Sequence, residues 1–227
     1  MKESKLLTVL LAIAAALTIL AGSIAVPILC RPFYYAQIDS LNLVEDTGLT
    51  EDEIKTAYNE MVDFCIGAQD DFSVGVLPWS ESGESHFEDV KVLFILDFVL
   101  LGCGAAAVVV ILIIKRLLHI KFSPILRRGP GFWGGAVLGV AFLVIGGYAA
   151  TDFDRFFTVF HHVFFPGKGN WLFDPATDPV IELLPEVFFR NCAILIVVIL
   201  IAACVILILT DFRIFPTKSR QKKIEEQ

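Results

Sequence analysis

Long apolar stretches separated by polar connections dominate the pattern of this sequence. Four of the stretches, 6–29, 92–114, 132–150 and 187–209, are long enough to cross a membrane as helices, because a bilayer core requires about 20 apolar residues in helical form. The first stretch is longer than the apolar core of a signal peptide, about 7–15 residues, so we interpret it as a retained helix. The pattern predicts a polytopic α-helical membrane protein, with four transmembrane helices in a single membrane domain, 1–227.

The first long connection, 31–91, carries signals for local structure. Thr50 and Glu53 have the spacing of a capping box and precede an amphipathic helical pattern. Phe72–Val76 alternates as a β-strand does. Arg31–Asn42 has an aromatic cluster typical of a membrane interface and is expected to continue as a short strand. We therefore predict a small folded segment of mixed helices and loops with short β structure.

Composition and charge add an orientation. The chain is 56% hydrophobic and only 19% charged, whereas soluble domains have about 45–50% apolar and 25% charged residues. Residues 31–91 contain three basic and fourteen acidic residues, while the connection between the second and third stretches and the C-terminal tail are basic. Because cytoplasmic loops are enriched in Lys and Arg, both termini are predicted to be cytoplasmic, and 31–91 and 151–186 to form an extracytoplasmic cap. The net charge of −7 comes mostly from that acidic side and gives no indication of nucleic-acid binding.

The densest candidate chemistry lies between the last two apolar stretches. Residues 153–189 hold nine of the twenty Phe residues, a Trp, two adjacent His and two Asp-Pro pairs. An ordinary connecting loop would be rich in Gly, Ser and Asn instead. Imidazole titrates near neutral pH and is the usual general acid or base in enzymes. We therefore predict a chemical site at the membrane surface.

Helical periodicity separates the two adjacent histidines. His161 falls on one face with a row of aromatic side chains: Phe153, Phe156, Phe157, Phe160 and Phe164. His162 falls about 100° away, nearer Asp154 and Thr158. His161 is therefore expected to point into an aromatic environment, and His162 toward solvent.

A third histidine, His86, is expected at the same surface. It lies shortly before the second apolar stretch, and His161 lies shortly after the third; these two stretches form a hairpin through the cytoplasm. If the segment is helical, Asp89 shares a face with His86 and can orient its imidazole. The alternative is a solvated first-turn residue beside a capping Ser85 or Glu84.

Three functions remain open from the residues alone. The first is acyl or phosphoryl chemistry on a lipid-bearing substrate, with two imidazoles as an acid–base pair. The second is a metal site built from His86, His161 or His162 with carboxylates, which the absence of an HExxH spacing makes weaker. The third is a non-enzymatic membrane partner whose aromatics form only an interface belt.

Polar and thiol groups inside the apolar stretches are interpreted as structural. Cys103 and Cys204 behave there as small apolar residues. Asp97 is expected to be a structural group with a partner inside the protein; the alternative is that it lines the floor of a polar cavity. The other three cysteines, Cys30, Cys65 and Cys192, lie outside or near the outer boundary, and a disulfide among them stays open.

Three motifs resemble one known family. They are SxExHxxDVK at Ser82–Lys91, FxxFHxxFF at Phe157–Phe165 and WLFDPxTDPxIxLLPExFF at Trp171–Phe189. In order and spacing they are similar to the lipoprotein intramolecular transacylase family of Gram-positive bacteria, and the resemblance extends over essentially the whole chain.

The resemblance implies an acyltransferase that makes lyso-form lipoproteins in the cell membrane. Its substrate is a diacylated lipoprotein among membrane lipids, and the sn-2 acyl chain moves to the α-amino group of the N-terminal Cys. Because amine and ester belong to one molecule, we expect this transfer to require no metal or cofactor. His86 and His161 correspond to the catalytic histidines, at the extracytoplasmic face. The expected supporting or substrate-binding residues are Glu84, Asp89, Phe157, Phe160, Phe164, Trp171, Asp174, Asp178 and His162. The alternatives are a metal-dependent lipid hydrolase at the membrane interface and a non-enzymatic partner protein.

Overall fold

The computed structural model describes residues 3–215. Within this range the chain forms nine helices and two short strands. In order they are β1 (Glu3–Ser4), α1 (Lys5–Leu29), α2 (Arg31–Tyr35), α3 (Leu43–Thr47), α4 (Glu51–Cys65), α5 (Glu81–Leu117), β2 (Lys121–Phe122), α6 (Pro130–Thr151), α7 (Phe153–Phe164), α8 (Val180–Leu183) and α9 (Glu186–Ile214).

Four helices are long and apolar enough to cross a membrane: α1, α5, α6 and α9. Each contains one of the four apolar stretches, so the predicted α-helical membrane fold is confirmed. Helix α5 has 37 residues and begins at Glu81, well before its apolar stretch starts at Val92. The segment with His86 is therefore helical and precedes the membrane-spanning part of α5.

The chain divides into two compact units. One contains α1 up to Ser23, the segment Val99–Ile145 and α9 from Val197. In this unit, a Cβ on Gly134 would lie 2.7 Å from the backbone oxygen of Ala12, and a Cβ on Gly135 2.8 Å from that of Cys204. Glycine thus lets α6 approach α1 and α9 closely, as small residues do in membrane bundles. The strands β1 and β2 pair in parallel in the same unit.

The other unit contains Ile24–Phe98 and Gly146–Ile196, and it holds an apolar core. Tyr34 of α2 stacks on Tyr58 of α4, with ring centroids 3.7 Å apart, and donates a hydrogen bond to the carbonyl of Leu183 in α8. The predicted capping box at the start of α4 is present, because Thr50 and Glu53 exchange side-chain–backbone hydrogen bonds. These contacts join α2, α4 and α8 around fully buried side chains, including Ile38, Leu43, Ile54, Val74 and Val180.

The strands predicted in this unit are wrong. Residues 31–91, all of them described, contain helices and loops, and the first part of Arg31–Asn42 is α2, which has proline in its first turn. In Phe72–Val76 the backbone turns at Gly75, whose φ is +64°, and the N–H of Gly75 binds Glu60 Oε2 at 2.7 Å. A carboxylate from α4 thus takes the place of a neighbouring strand as the hydrogen-bond acceptor.

Candidate active site

Helix α7 determines the orientation of the adjacent histidines. Asp152 caps it by accepting a hydrogen bond from the backbone N–H of Arg155 at 3.0 Å. His161 is 7% exposed, whereas His162 is exposed, so the predicted difference between the two faces is confirmed. The aromatic row is only partly covered, because Phe160 and Phe164 are 38% and 49% exposed.

The tautomer of neutral His161 follows from one hydrogen bond. Its Nδ1 lies 2.8 Å from the backbone carbonyl oxygen of Phe157, one turn earlier in α7. A carbonyl oxygen can only accept, so Nδ1 carries the hydrogen and donates it. The lone pair of the neutral ring is then on Nε2. His161 is thus arranged to accept a proton at Nε2 while its ring is held at Nδ1.

Trp171 contacts both of the adjacent histidines. Its ring stacks on His161 with centroids 4.6 Å apart and meets His162 edge-on at 5.7 Å. Its Nε1 donates to the carbonyl oxygen of Lys168 at 3.2 Å, which fixes the indole within its own loop. The Phe157 ring also packs on His161, with centroids 4.2 Å apart. His161 is therefore in contact with at least two aromatic rings.

His86 from α5 lies beside His161 in the same aromatic surroundings. It is 6% exposed, and its ring centroid lies 5.9 Å from that of His161. The rings of Phe165 and Phe173 meet it edge-on, at 5.0 and 5.4 Å. Two imidazoles from different helices thus share one aromatic-walled site, close enough for a single bound group to contact both.

Burial keeps both imidazoles neutral. Loss of solvent is the main cause that lowers the pKa of His86 from its ordinary 6.5 to about 4; the nearby His161 and Lys168 act in the same direction, and Asp89 partly opposes them. Burial also lowers the pKa of His161, partly offset by its bond to the Phe157 carbonyl. At neutral pH, one ring can therefore accept a proton and the other can donate a hydrogen bond without carrying a charge.

This burial predicts a specific loss of stability in acid. Unfolded His86 takes up a proton near pH 6.5, but folded His86 does so only near pH 4. The free energy of unfolding is therefore expected to fall as the pH drops from 6.5 to 4, by up to about 3 kcal/mol from this group. Denaturant unfolding of the detergent-solubilised protein at pH 7 and 4.5 measures it. The His86→Phe variant should lose less stability over this range, and an equal loss in both proteins would contradict the assignment.

Asp89 does not hold His86 as expected. Its carboxylate instead forms an ion pair with Lys168, with Nζ 2.5 Å from Oδ1, and accepts a hydrogen bond from Asn170 Nδ2 at 3.1 Å. Nδ1 of His86 is buried and has no hydrogen-bond partner within residues 3–215. Both partners of Asp89 come from the loop that carries Trp171. Asp89 therefore anchors this loop to α5, and its effect on His86 is electrostatic.

Asp178 forms a second connection to the start of α5. It is 4% exposed, and its carboxylate accepts hydrogen bonds from the backbone N–H and the hydroxyl of Ser80, both at 2.8 Å, and from Thr177. The Ser80 hydroxyl in turn accepts from the backbone N–H of Gly83 at 3.1 Å, in the first turn of α5. Asp178 thus positions the helix that bears His86.

Two other predicted residues lie outside this arrangement. Asp174 closes a local turn by accepting from the backbone N–H of Ala176 at 3.0 Å. Glu84 is half-buried in the first turn of α5, and among the described residues no hydrogen bond joins its side chain to either imidazole. Neither carboxylate is therefore brought into the site by a contact.

Five residues of the site were not among the predicted site residues: Phe165, Phe173, Lys168, Asn170 and Ser80. The available signal was the polar pair Lys168 and Asn170 immediately before Trp171, within an otherwise aromatic segment. Its meaning depends on Asp89, which is 79 residues from Lys168 in the chain. Spacing alone could not show that contact.

The cysteines, the possible metal ligands and Asp97 were also covered by predictions from the sequence. All five cysteines are free. In the described part of the chain, no three His, Cys, Asp or Glu residues group as metal ligands would. Asp97 was expected to be partnered, but its buried Oδ2 has no hydrogen-bond partner within residues 3–215.

Comparisons with known proteins agree with this fold. The family model described as "Lipoprotein intramolecular transacylase Lit" matches residues 9–189. The solved structure of the membrane integral lipoprotein intramolecular transacylase Lit from Bacillus cereus is 24% identical, with a TM-score of 0.83, and the match covers 95% of this chain and 97% of that one. A form of that protein with one histidine changed to alanine gives 24% identity and a TM-score of 0.77, over 95% and 94% of the two chains. No curated protein matches the sequence.

Proposed function

The chain belongs to the lipoprotein intramolecular transacylase family and is an acyltransferase, and we propose that it moves the sn-2 acyl chain of a diacylglyceryl lipoprotein to the α-amino group of its N-terminal Cys. The product would be a lyso-form lipoprotein. The observation that carries the proposal is the pair of buried imidazoles, 5.9 Å apart between ring centroids, inside an aromatic wall suited to a lipid.

His161 is proposed as the general base. The attacking α-amine has an ordinary pKa of about 7.7–8.0 and must lose a proton as it bonds to the ester carbonyl carbon. Nε2 of His161 has its lone pair available because Nδ1 donates to Phe157. The proton accepted there can then be returned to the glyceryl oxygen when the ester C–O bond breaks. One imidazole thus serves both proton transfers.

His86 is proposed as the group that stabilises the developing oxyanion. Its pKa of about 4 keeps the imidazole neutral, so one ring nitrogen carries a hydrogen that can be donated. A hydrogen-bond donor in a site largely closed to water stabilises developing negative charge more effectively than it would in solution. Its edge-on contacts with Phe165 and Phe173 restrict the orientation of the imidazole ring.

The site promotes this reaction more by positioning the amine against the ester than by activating either group. Amine and ester belong to one molecule, so the site has to fold the substrate until nitrogen meets carbonyl carbon. The overall change forms one C–N bond, breaks one C–O bond and moves one proton, so the mass is unchanged. The proposed route includes no acyl-enzyme intermediate.

Mass spectrometry of one substrate tests the proposed function. Purified protein is incubated with a synthetic diacylated lipopeptide bearing a free N-terminal Cys, with and without chelator. We expect a product of unchanged mass whose fragmentation places one acyl chain on nitrogen, in equal yield with chelator. A hydrolase would instead release fatty acid, and a non-enzymatic partner would leave the substrate unaltered.

A blocked substrate provides the control. Acetylation of the α-amine removes the proposed nucleophile, so this lipopeptide should remain unreacted under the same conditions. Acyl migration in the acetylated lipopeptide would contradict the proposal, because no other amine of a peptide without lysine could accept the chain.

The site is proposed to face the extracytoplasmic side of the cell membrane, with both termini in the cytoplasm. The motivation is the acidic character of 31–91 against the basic connection that follows α5. In a cysteine-free background, an impermeant thiol reagent added to intact cells should label cysteine placed at Asp70 or Gly169. Cysteine at Ser123 should react only after the cells are opened. The reverse labelling would invert the proposed orientation.

A further inference from the structure

Asn170 has a side-chain carbonyl without a partner at the site. Its Nδ2 donates to Asp89 Oδ2 at 3.1 Å. Because a carboxylate accepts and cannot donate, this contact requires the NH2 group on that side, which directs the amide oxygen the other way. That oxygen is buried and has no hydrogen-bond partner within residues 3–215.

Asn170 is connected to both histidines through its immediate neighbours. Asp89 is one helical turn after His86 in α5, and Trp171, the next residue in the loop, stacks on His161 at 4.6 Å. Buried acceptors without partners are rare in folded proteins, because each costs the free energy of its lost hydration. The oxygen of Asn170 is therefore suited to a hydrogen-bond donor that arrives with the substrate.

We propose that Oδ1 of Asn170 binds the N–H of the substrate's α-amine that is not transferred, and so selects a primary amine as the acyl acceptor. This inference rests on the proposed function. A neutral primary amine has two hydrogens and one lone pair. His161 Nε2 removes one hydrogen as the C–N bond forms, and Asn170 holds the second, which remains on nitrogen in the product amide. The lone pair is thereby directed at the ester carbonyl.

The charges around the substrate's amine favour an amide oxygen over a carboxylate as its hydrogen-bond acceptor. The nucleophile has to be neutral, and a free carboxylate beside it would stabilise the ammonium form. Asp89, the nearest carboxylate to Asn170, is paired with Lys168. An amide oxygen accepts a hydrogen bond without adding negative charge. Asn170 therefore orients the amine without favouring its protonation.

An N-methylated substrate tests the inference. N-methylation of the N-terminal Cys leaves one hydrogen for the base and none for Asn170. The rate of isomerisation at constant mass is measured for the primary and N-methyl lipopeptides, first with the unaltered protein. We expect the primary amine to react at least about tenfold faster, the loss expected when one hydrogen bond is missing and an acceptor is left unsatisfied. Equal rates would overturn the inference.

The Asn170→Leu variant separates hydrogen bonding from crowding. Leucine has the same branching and number of side-chain heavy atoms as asparagine but no acceptor, so steric effects of the methyl group persist while the hydrogen bond is absent. The preference for the primary amine should shrink about tenfold in this variant. Asn170→Ala provides a second measurement with the same expected direction, should leucine impair folding. An unchanged preference in a folded variant would overturn the inference.

Lys168→Met is the matched control for the loop. It removes the ion pair to Asp89 and leaves the Asn170 amide in place. A role of Asn170 as a loop anchor alone predicts the same effect from both variants. We expect Lys168→Met to slow the isomerisation of both lipopeptides by the same factor, so that the preference for the primary amine does not change. Failure of the unaltered protein to isomerise the primary-amine lipopeptide would refute the proposed function itself, a result distinct from any change in preference.

Discussion

Replacement of His161 by alanine is expected to reduce the rate of acyl transfer by about 10²–10⁴-fold, the range contributed by a positioned general base. No other side chain takes its place on the buried face of α7, because His162 is exposed. His86→Ala should cause a loss of similar size, since it removes the proposed oxyanion donor. His162→Ala should retain a substantial part of the activity.

Isomerisation of the diacylated lipopeptide by the three variants provides the measurement, with thermal unfolding as a check on folding. His161 and His162 are adjacent, so His162→Ala is the control for any general disturbance of α7. An inactive His162→Ala protein together with an active His161→Ala protein would reverse the assignment within the pair. An active His86→Ala protein would show that His86, and with it α5, supplies no essential catalytic group.

Gly83→Ala should be strongly destabilising, although alanine usually favours a helix interior over glycine by about 1 kcal/mol. A Cβ at this position would overlap Oδ1 of Asp178 and lie 3.2 Å from the Phe173 ring. Asp178 would have to move, which breaks its hydrogen bonds to Ser80. Loss of a buried carboxylate's partners costs several kcal/mol, and the ring of Phe173, which packs against His86, would shift with it.

Gly102→Ala is the matched control within the same helix. A Cβ on Gly102 would meet nothing within 4 Å. We expect a large fall in unfolding temperature and in acyl transfer for Gly83→Ala, and little change in either for Gly102→Ala. Equal unfolding temperatures for the two variants would show that the contact between Asp178 and α5 contributes little to stability.

The sequence was sufficient for whatever depends on periodicity. Apolar stretches of membrane-spanning length predicted the four long helices, and the spacing within α7 placed His161 and His162 on different faces. Thr50 and Glu53 predicted their own capping box, because its hydrogen bonds span only three residues. Each of these inferences needs only local geometry.

The sequence was insufficient wherever a distant group completes the structure. The alternation in Phe72–Val76 predicted a strand, but the carboxylate of Glu60 satisfies the N–H of Gly75. Asp89 was assigned to His86, its neighbour in α5, whereas its partners are Lys168 and Asn170 from a loop far along the chain. Local spacing identifies which groups can pair, and tertiary packing decides which of them do.

The stacking of Trp171 on His161 gives the protein an internal optical reporter. A protonated imidazole quenches the fluorescence of an adjacent indole, whereas a neutral one does so weakly, and here the two ring centroids are 4.6 Å apart. The other two tryptophans, Trp79 and Trp133, supply a constant background that substitution by phenylalanine can remove. His162 also meets Trp171, at 5.7 Å, so it is replaced by alanine in the same protein. The emission of Trp171 would then follow the charge of His161 during turnover, without any attached dye.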